Sequence, residues 1–203
     1  MKSILVCVTS DLATDNRVLR HCELMHQMGF KVQLIGRILP WSPTMPLLSY
    51  RVHRVKLPFL KGPLFYLSYQ IWLFFYLLFK KTDILWANDL DTVLPCFLVS
   101  KLRRQLFIVD SHELFTEVPE LSKSPIKKSI WLFIEKNVAV KADVFITVNQ
   151  SLARIFQQKY GINPKVVRNV PKRIDLAPAH SRNLIHIPEG DLLVVIQGSG
   201  INK

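Results

Sequence analysis

A chain of 203 residues, 49% hydrophobic and 10% aromatic, holds enough apolar material for one sizeable core, or for one domain and the start of another. That composition excludes a disordered, collagen-like or small disulfide-stapled protein. The 27 Lys and Arg against 15 Asp and Glu give a net charge of +12, which attracts anionic surfaces and phosphorylated molecules.

Ser3–Val8 is a continuous apolar run, as expected for a strand covered on both faces, and it is too short for a signal peptide. Asp15–Met28 follows as a helix, with Val18, Cys22 and Met25 on one face, a cap at Thr14 or Asp15 and a stop at Gly29. Lys31–Ile35 is a second strand. A loop with Pro40, Pro43 and Pro46 leads into Tyr50–Lys56, whose alternating Arg51, Arg54 and Lys56 predict a half-exposed or edge strand. Ile84–Ala87, Leu106–Val109, Val144–Val148 and Val166–Val167 are further strands, separated by helical stretches at Thr92–Leu102, Ile126–Val140 and Gln150–Tyr160. Strands alternating with helices of this length predict an α/β fold, a Rossmann-like parallel sheet with helices on both faces.

Leu64–Phe79 is uncharged and rich in aromatic residues, flanked by Lys61 and Lys80-Lys81. Sixteen residues span about 24 Å, short of the ~30 Å hydrocarbon core of a bilayer. A helix in the domain core, or one lying partly in a membrane interface, fits better than a membrane span. Arg182–Asp191 reads as a linker. Leu192–Ile196 with Gln197-Gly198-Ser199-Gly200 reads as the first strand and loop of a second domain. The expected division is 1–180, a linker at 181–191, and 192–203 as the start of that second domain.

Five predicted strands end in polar residues: Thr9-Ser10-Asp11, Asn88-Asp89, Asp110-Ser111-His112-Glu113, Asn149-Gln150 and Arg168-Asn169. In an open parallel sheet, ligands bind beyond the carboxyl ends of the strands, so these ends should line one crevice. His112, between Asp110 and Glu113, is the best candidate for proton or hydrogen-bond chemistry. Several other chemistries are excluded. The loop after the first strand contains no glycine, so a dinucleotide fingerprint is missing, and no P-loop or GxSxG elbow occurs. Asp89 and Asp91 make a weak metal pair and read better as turn carboxylates. Cys7, Cys22 and Cys96 lie in apolar segments without ligand spacing, which predicts buried thiols in a reducing cytoplasm and no metal site. The basic charge comes without a zinc-finger, RNP or helix-turn-helix pattern, so nucleic acid is not expected as a partner.

The run of motifs Val8-Thr9-Ser10-Asp11, Thr14-Asp15-Asn16-Arg17-Val18, Met28-Gly29-Phe30-Lys31-Val32, Ala87-Asn88-Asp89-Leu90-Asp91-Thr92, Asp110-Ser111-His112-Glu113 and Val167-Arg168-Asn169-Val170-Pro171 resembles the N-terminal half of a bacterial glycosyltransferase of family 4. The resemblance implies the acceptor-side domain of a GT-B architecture, in which two Rossmann-like domains face each other across a cleft. It also implies retention of anomeric configuration, a nucleotide-sugar donor as substrate, no required metal and no other cofactor.

In that frame His112 matches the family histidine close to the transferring sugar. Thr9, Ser10, Asp11, Asp15, Arg17, Asn88, Asp89, Asp110, Glu113, Asn149, Arg168 and Asn169 are the expected acceptor- or substrate-binding positions. The family's donor-binding residues belong to the C-terminal domain, so the chain as given is not expected to transfer sugar alone. The expected acceptor is a saccharide or lipid-linked molecule destined for a cell-surface polysaccharide or glycolipid, met at the inner membrane face. The alternative reading is a non-catalytic α/β module that holds an anionic ligand or partner.

Overall fold

Along each apolar run, successive side chains point to opposite faces of the sheet, and the core divides accordingly. Leu5, Cys7, Leu85, Ala87, Phe107 and Val109 belong to one apolar cluster, while Ile4, Val6, Val8, Trp86, Ile108 and Ile146 belong to the other. The computed structural model describes residues 1–118, 121, 124–170, 188, 190–192 and 194. Its strands are β1 (Ser3–Asp11), β2 (Lys31–Arg37), β3 (Arg51–Val55), β4 (Ile84–Asn88), β5 (Leu106–Asp110), β6 (Val144–Thr147) and β7 (Lys165–Val166). They form one parallel sheet in the order β3-β2-β1-β4-β5-β6-β7.

The helices are α1 (Asn16–Gln27), α2 (Pro63–Leu78), α3 (Leu90–Arg103), α4 (Pro125–Asn137) and α5 (Gln150–Tyr160), with short 3-10 turns at Phe115–Glu117 and Ala139–Lys141. Val18 and Cys22 of α1 pack on one face of the sheet. Side chains of the other four, including Tyr69, Val93, Ile134 and Phe156, pack on the opposite face. The doubly covered, Rossmann-like sheet expected from the sequence is therefore the one observed. β3 lies at the edge, where its basic alternation placed it.

Several strand limits move by one to three residues. β1 continues through Thr9, Ser10 and Asp11, because β2 still runs beside it and Asp11 lies opposite Arg37 after a shift of register. β7 falls one residue earlier than expected, at Lys165–Val166, and Val167 then donates its amide to the Thr147 carbonyl at 2.8 Å. The chain divides into a compact unit, Met1–Asn169, and a second unit, Val170–Lys203. The expected domain boundary at 180 and most of the linker and of the strand at 192–196 lie outside the described residues.

The stretch Leu64–Phe79 lies on α2 and its C-cap, and the helix contributes one face to the core. Phe65, Tyr69, Leu73 and Leu77 are buried at helical spacing, while Leu64, Leu67, Ile71, Phe75 and Phe79 are exposed on the other side. Among the described residues no helix is long and apolar enough to cross a membrane. Gln70 and Pro95 explain each other. Pro95 inside α3 has no N–H to give the carbonyl four residues earlier, that of Asp91, and Gln70 Nε2 from α2 donates to that carbonyl instead.

The close approach of β2 to the tail of β1 requires a glycine at position 36. A Cβ there would lie 2.5 Å from Leu12 Cδ2 and 2.9 Å from Val8 Cγ2, and both side chains are buried. Gly36→Ala should therefore cost about 1–3 kcal/mol of stability by overpacking, read from the midpoint of urea unfolding. An unchanged midpoint would mean that the strands separate freely at this point.

Candidate active site

Because β1, β4 and β5 are neighbours in the sheet, their polar carboxyl ends meet at one edge. The amide of Asp89 donates to the Asp110 carbonyl at 2.9 Å, which ties the end of β4 to that of β5. Asp89 caps α3 with φ 59° and ψ 165°, a backbone region almost confined to glycine. This conformation is held against its own strain, and it brings the Asp89 carboxylate beside His112. Nδ1 of His112 stands 2.7 Å from Asp89 Oδ1, close enough for an ion pair when the imidazole is protonated.

Arg17, in the first turn of α1, reaches into the same cluster. Its side chain is buried, with Nη1 3.0 Å from Asp110 Oδ2 and Nη2 3.8 Å from Asp89 Oδ2. Asp15 positions that turn by accepting from the Val18 amide at 3.2 Å and from the Ser10 hydroxyl at 2.6 Å. His21, one turn further along α1, stands 3.6 Å from Asp110. Thr9 donates to Asp91 Oδ2, and Asn88, buried, donates to the Cys7 carbonyl at 3.4 Å. The cluster thus gathers Thr9, Arg17, Asp89, Asp91, Asp110 and His112 from β1, α1, β4, α3 and β5.

Three carboxylates around so few cations shift the local proton affinities. Burial, reinforced by the charge of Asp89, pushes Asp91 up to about 7, against the lowering effect of its Thr9 hydrogen bond. Burial draws His112 down, but the adjacent Asp89 carboxylate outweighs it and His112 titrates above its ordinary range. His112 thus carries a proton more readily than a free imidazole, while Nε2 remains for a substrate atom.

Other expected positions lie elsewhere. Asp11 belongs to a separate group, accepting from Arg54 at 2.9 Å and from the Ser42 hydroxyl at 2.6 Å, so it ties β1 to β3 and to the Pro-rich loop. Asn149 caps α5 by accepting the Leu152 amide at 2.8 Å. Asn169 accepts from Arg20 of α1, Arg168 is exposed, and Glu113 lines a neighbouring cavity. Sequence reasoning left Asp91 as a turn carboxylate and passed over His21 and Gln70. The pairing of Asp91 with Asp89 was visible, but its burial was not. Among the described residues no group of three or more His, Cys, Asp or Glu is arranged to hold a metal ion.

The fold is that of one Rossmann-like half of GT-B glycosyltransferases. Sucrose-phosphate synthase from Thermosynechococcus elongatus superposes with a TM-score of 0.59 at 15% identity, over 83% of this chain and 48% of that one. HepE of Anabaena in complex with UDP-glucose gives 0.54 at 15% identity, over 83% and 44%. A UGT transferase from Siraitia grosvenorii in complex with UDP gives 0.54 at 10%, over 82% and 50%. At these identities the likeness is one of fold, and the chain spans about half the length of each of these proteins. No curated protein matches the sequence. The chain belongs to glycosyltransferase family 4, whose family model matches residues 15–177.

Two outcomes test the site's physics. Asp91 binds its proton more tightly in the folded state, at about 7, than at the unfolded value of 3.8. Its stabilising contribution is therefore whole below 3.8 and is lost as the pH climbs through 7. His112, raised from 6.5, acts with the same sign over a window that begins there. Asp91→Asn should flatten the fall in stability between about pH 4 and 7, a change of a few kcal/mol in urea titrations across that range. An unaltered slope would show that Asp91 is ionised in the fold. Separately, Asp89→Gly should be more stable than Asp89→Ala by about 1–3 kcal/mol, since both lose the carboxylate and only alanine keeps the strained Cβ. Equal melting temperatures would remove the strain at Asp89.

Proposed function

We propose that this chain is the acceptor-side domain of a retaining glycosyltransferase. It would pass a sugar from a nucleotide-sugar to a saccharide or lipid-linked acceptor used in a cell-surface polysaccharide or glycolipid. In this reaction the bond from the anomeric carbon to the donor phosphate oxygen breaks. A bond from that carbon to the acceptor oxygen forms on the same face of the sugar, and the acceptor hydroxyl gives its proton to the departing phosphate oxygen.

The observation that carries the reading is the Asp89–His112 ion pair, braced by Arg17, at the carboxyl edge of β4 and β5. His112 is the group placed to meet the reacting sugar. With Asp89 against Nδ1, its Nε2 is free to hydrogen-bond a substrate hydroxyl, and its raised proton affinity suits it to balance negative charge on the donor phosphates. Thr9, Ser10, Asp15 and Arg17 shape the floor in which acceptor and donor meet. Nucleotide-sugar enters as substrate, and no resident metal or cofactor takes part. Donor recognition belongs to a second domain, so transfer requires the longer protein. The uncharged α2, followed by Lys80 and Lys81 and preceded by Lys61, supports peripheral contact with anionic lipid on the cytoplasmic side.

In the two-domain protein, His112→Ala should lower turnover of a nucleotide-sugar about 10²- to 10⁴-fold while leaving the protein folded, as read by circular dichroism. A loss below about threefold would take His112 out of the chemistry. The anomeric configuration of the product, read by NMR, checks retention in the same assay.

A further inference from the structure

α2 and α4 line an apolar cavity of about 560 Å³ in which Lys127 and Glu113 offset each other's charge. A different aromatic surface lies on the carboxyl edge of the sheet, in the loop that follows β2. Of the four tryptophans, Trp86 is buried, while Trp72 and Trp131 are half-buried among other rings. Trp41 alone stands open, with 68% of its surface exposed.

An exposed aromatic residue on a slack loop is ordinary. This one is clamped. Leu39 to Ser42 form a turn with Pro40 at its second position and Trp41 at its third, closed by the Ser42 amide donating to the Leu39 carbonyl at 3.0 Å. The Leu39 amide donates in return to the Ser42 hydroxyl oxygen at 2.7 Å. That hydroxyl donates to Asp11 Oδ2 at 2.6 Å, and Asp11 Oδ1 accepts from Arg54 of β3 at 2.9 Å. Just before the turn, the Ile38 amide donates to the Val55 carbonyl at 3.0 Å. The backbone under Trp41 is thus tied to both β1 and β3. A ligand that meets the indole has only two side-chain torsions left to order, which keeps the entropic cost of binding small.

Position and charge narrow the ligand. Asp11 ends β1 next to Ser10, whose hydroxyl bonds Asp15 in the turn that carries Arg17. The clamp therefore joins the wall of the candidate active site. β2 and β5 are three strand steps apart, about 14 Å at the usual spacing. That distance exceeds one sugar ring, so a ring seated on Trp41 is not the one that reacts at His112. In a chain of net charge +12, the segment from Ile38 to Tyr50 carries no charged residue. It offers an anion nothing to pair with. The face of an indole is electron-rich, and it suits the axial C–H bonds of a pyranose whose hydroxyls are equatorial. Stacking covers the apolar face of that ring and leaves its hydroxyls in water.

We propose that Trp41 is the stacking platform of a second acceptor subsite, which holds a neutral, equatorially substituted sugar ring of an oligosaccharide acceptor while another sugar of the same molecule lies at His112. The proposal rests on the transferase reading and deepens it, because it assigns the acceptor to the oligosaccharide class. Asp11, which does not join the charged cluster, then serves the site as a positioning residue through Ser42.

The test is binding of cellotetraose, a chain of equatorially substituted glucose units, to the full chain without donor. It is followed by calorimetry and by protection of tryptophan fluorescence from iodide, with glucose as the comparison probe. Cellotetraose should bind saturably and shield the fluorescence, and glucose should bind about tenfold more weakly or less. Trp41→Ala should weaken cellotetraose about tenfold or more, while Trp41→Phe, which keeps an aromatic face, should stay within about threefold. Ser42→Ala, which keeps the indole and cuts the clamp, should weaken it about threefold. Circular dichroism should show all three variants folded.

The absence of saturable binding, or binding indifferent to Trp41→Ala, overturns the proposal. So does an effect of Trp41→Ala on attachment to lipid vesicles alone, which would make the loop a membrane contact. A change of oligomeric state in that variant would make it a contact between copies and would overturn the proposal too. Because no donor is present, failure here leaves the transferase reading intact if the two-domain protein still turns over a nucleotide-sugar. Saturable, Trp41-dependent binding in a two-domain protein without such turnover would keep the subsite and remove the transferase reading.

Discussion

The buried guanidinium of Arg17 holds the site together. Removing such a charge from water is costly unless carboxylates meet it, and Asp110 and Asp89 do so from two different strand ends. The pair with Asp110 is nearly closed to solvent, so loss of either partner would strand a charge in the interior. Through this contact the first turn of α1 is fixed against β4 and β5, and the Asp89 carboxylate is kept in place. The unusual backbone of Asp89 persists because its amide, its carboxylate and the start of α3 are all constrained at once. His112 owes its partner to that chain of constraints.

The electrostatics follow from the same crowding. Burial, with the charge of Asp89 beside it, raises proton affinity at Asp91, and against its own burial the Asp89 carboxylate raises it at His112. Each proton held at Asp91 or His112 makes the cluster less negative. Its response to a ligand then includes a change in proton uptake, which is the ordinary consequence of coupled titratable groups.

α2 serves two surroundings. Its inner face supplies Phe65, Tyr69, Leu73 and Leu77 to the core, and Tyr69 donates its hydroxyl to the Val8 carbonyl next to the polar tail of β1. Its outer face stays apolar where a soluble surface would carry charge. Gln70, on the same helix, closes the gap that Pro95 opens in α3 and thereby fixes Asp91. One helix thus borders both the site, through Gln70, and the apolar cavity beside it.

Local pattern determined much of this protein. Continuous apolar runs, stop signals at glycine and the βα rhythm specified the parallel sheet, and α5 falls on the stretch read for it, because burial on both faces leaves a period that any short window shows. The basic alternation of Tyr50–Lys56 likewise placed β3 at the edge. The polar strand ends, His112 and Asp89 among them, were legible as a set, since a parallel sheet aligns its carboxyl ends. Which of them touch was decided only in three dimensions. Asp11 turned to Arg54 and Arg17 to Asp110, because partners 43 and 93 residues apart along the chain leave no local trace. The protonation of Asp91 and the groove between α2 and α4 have the same origin. Both are properties of burial, and burial belongs to the packed whole rather than to any segment.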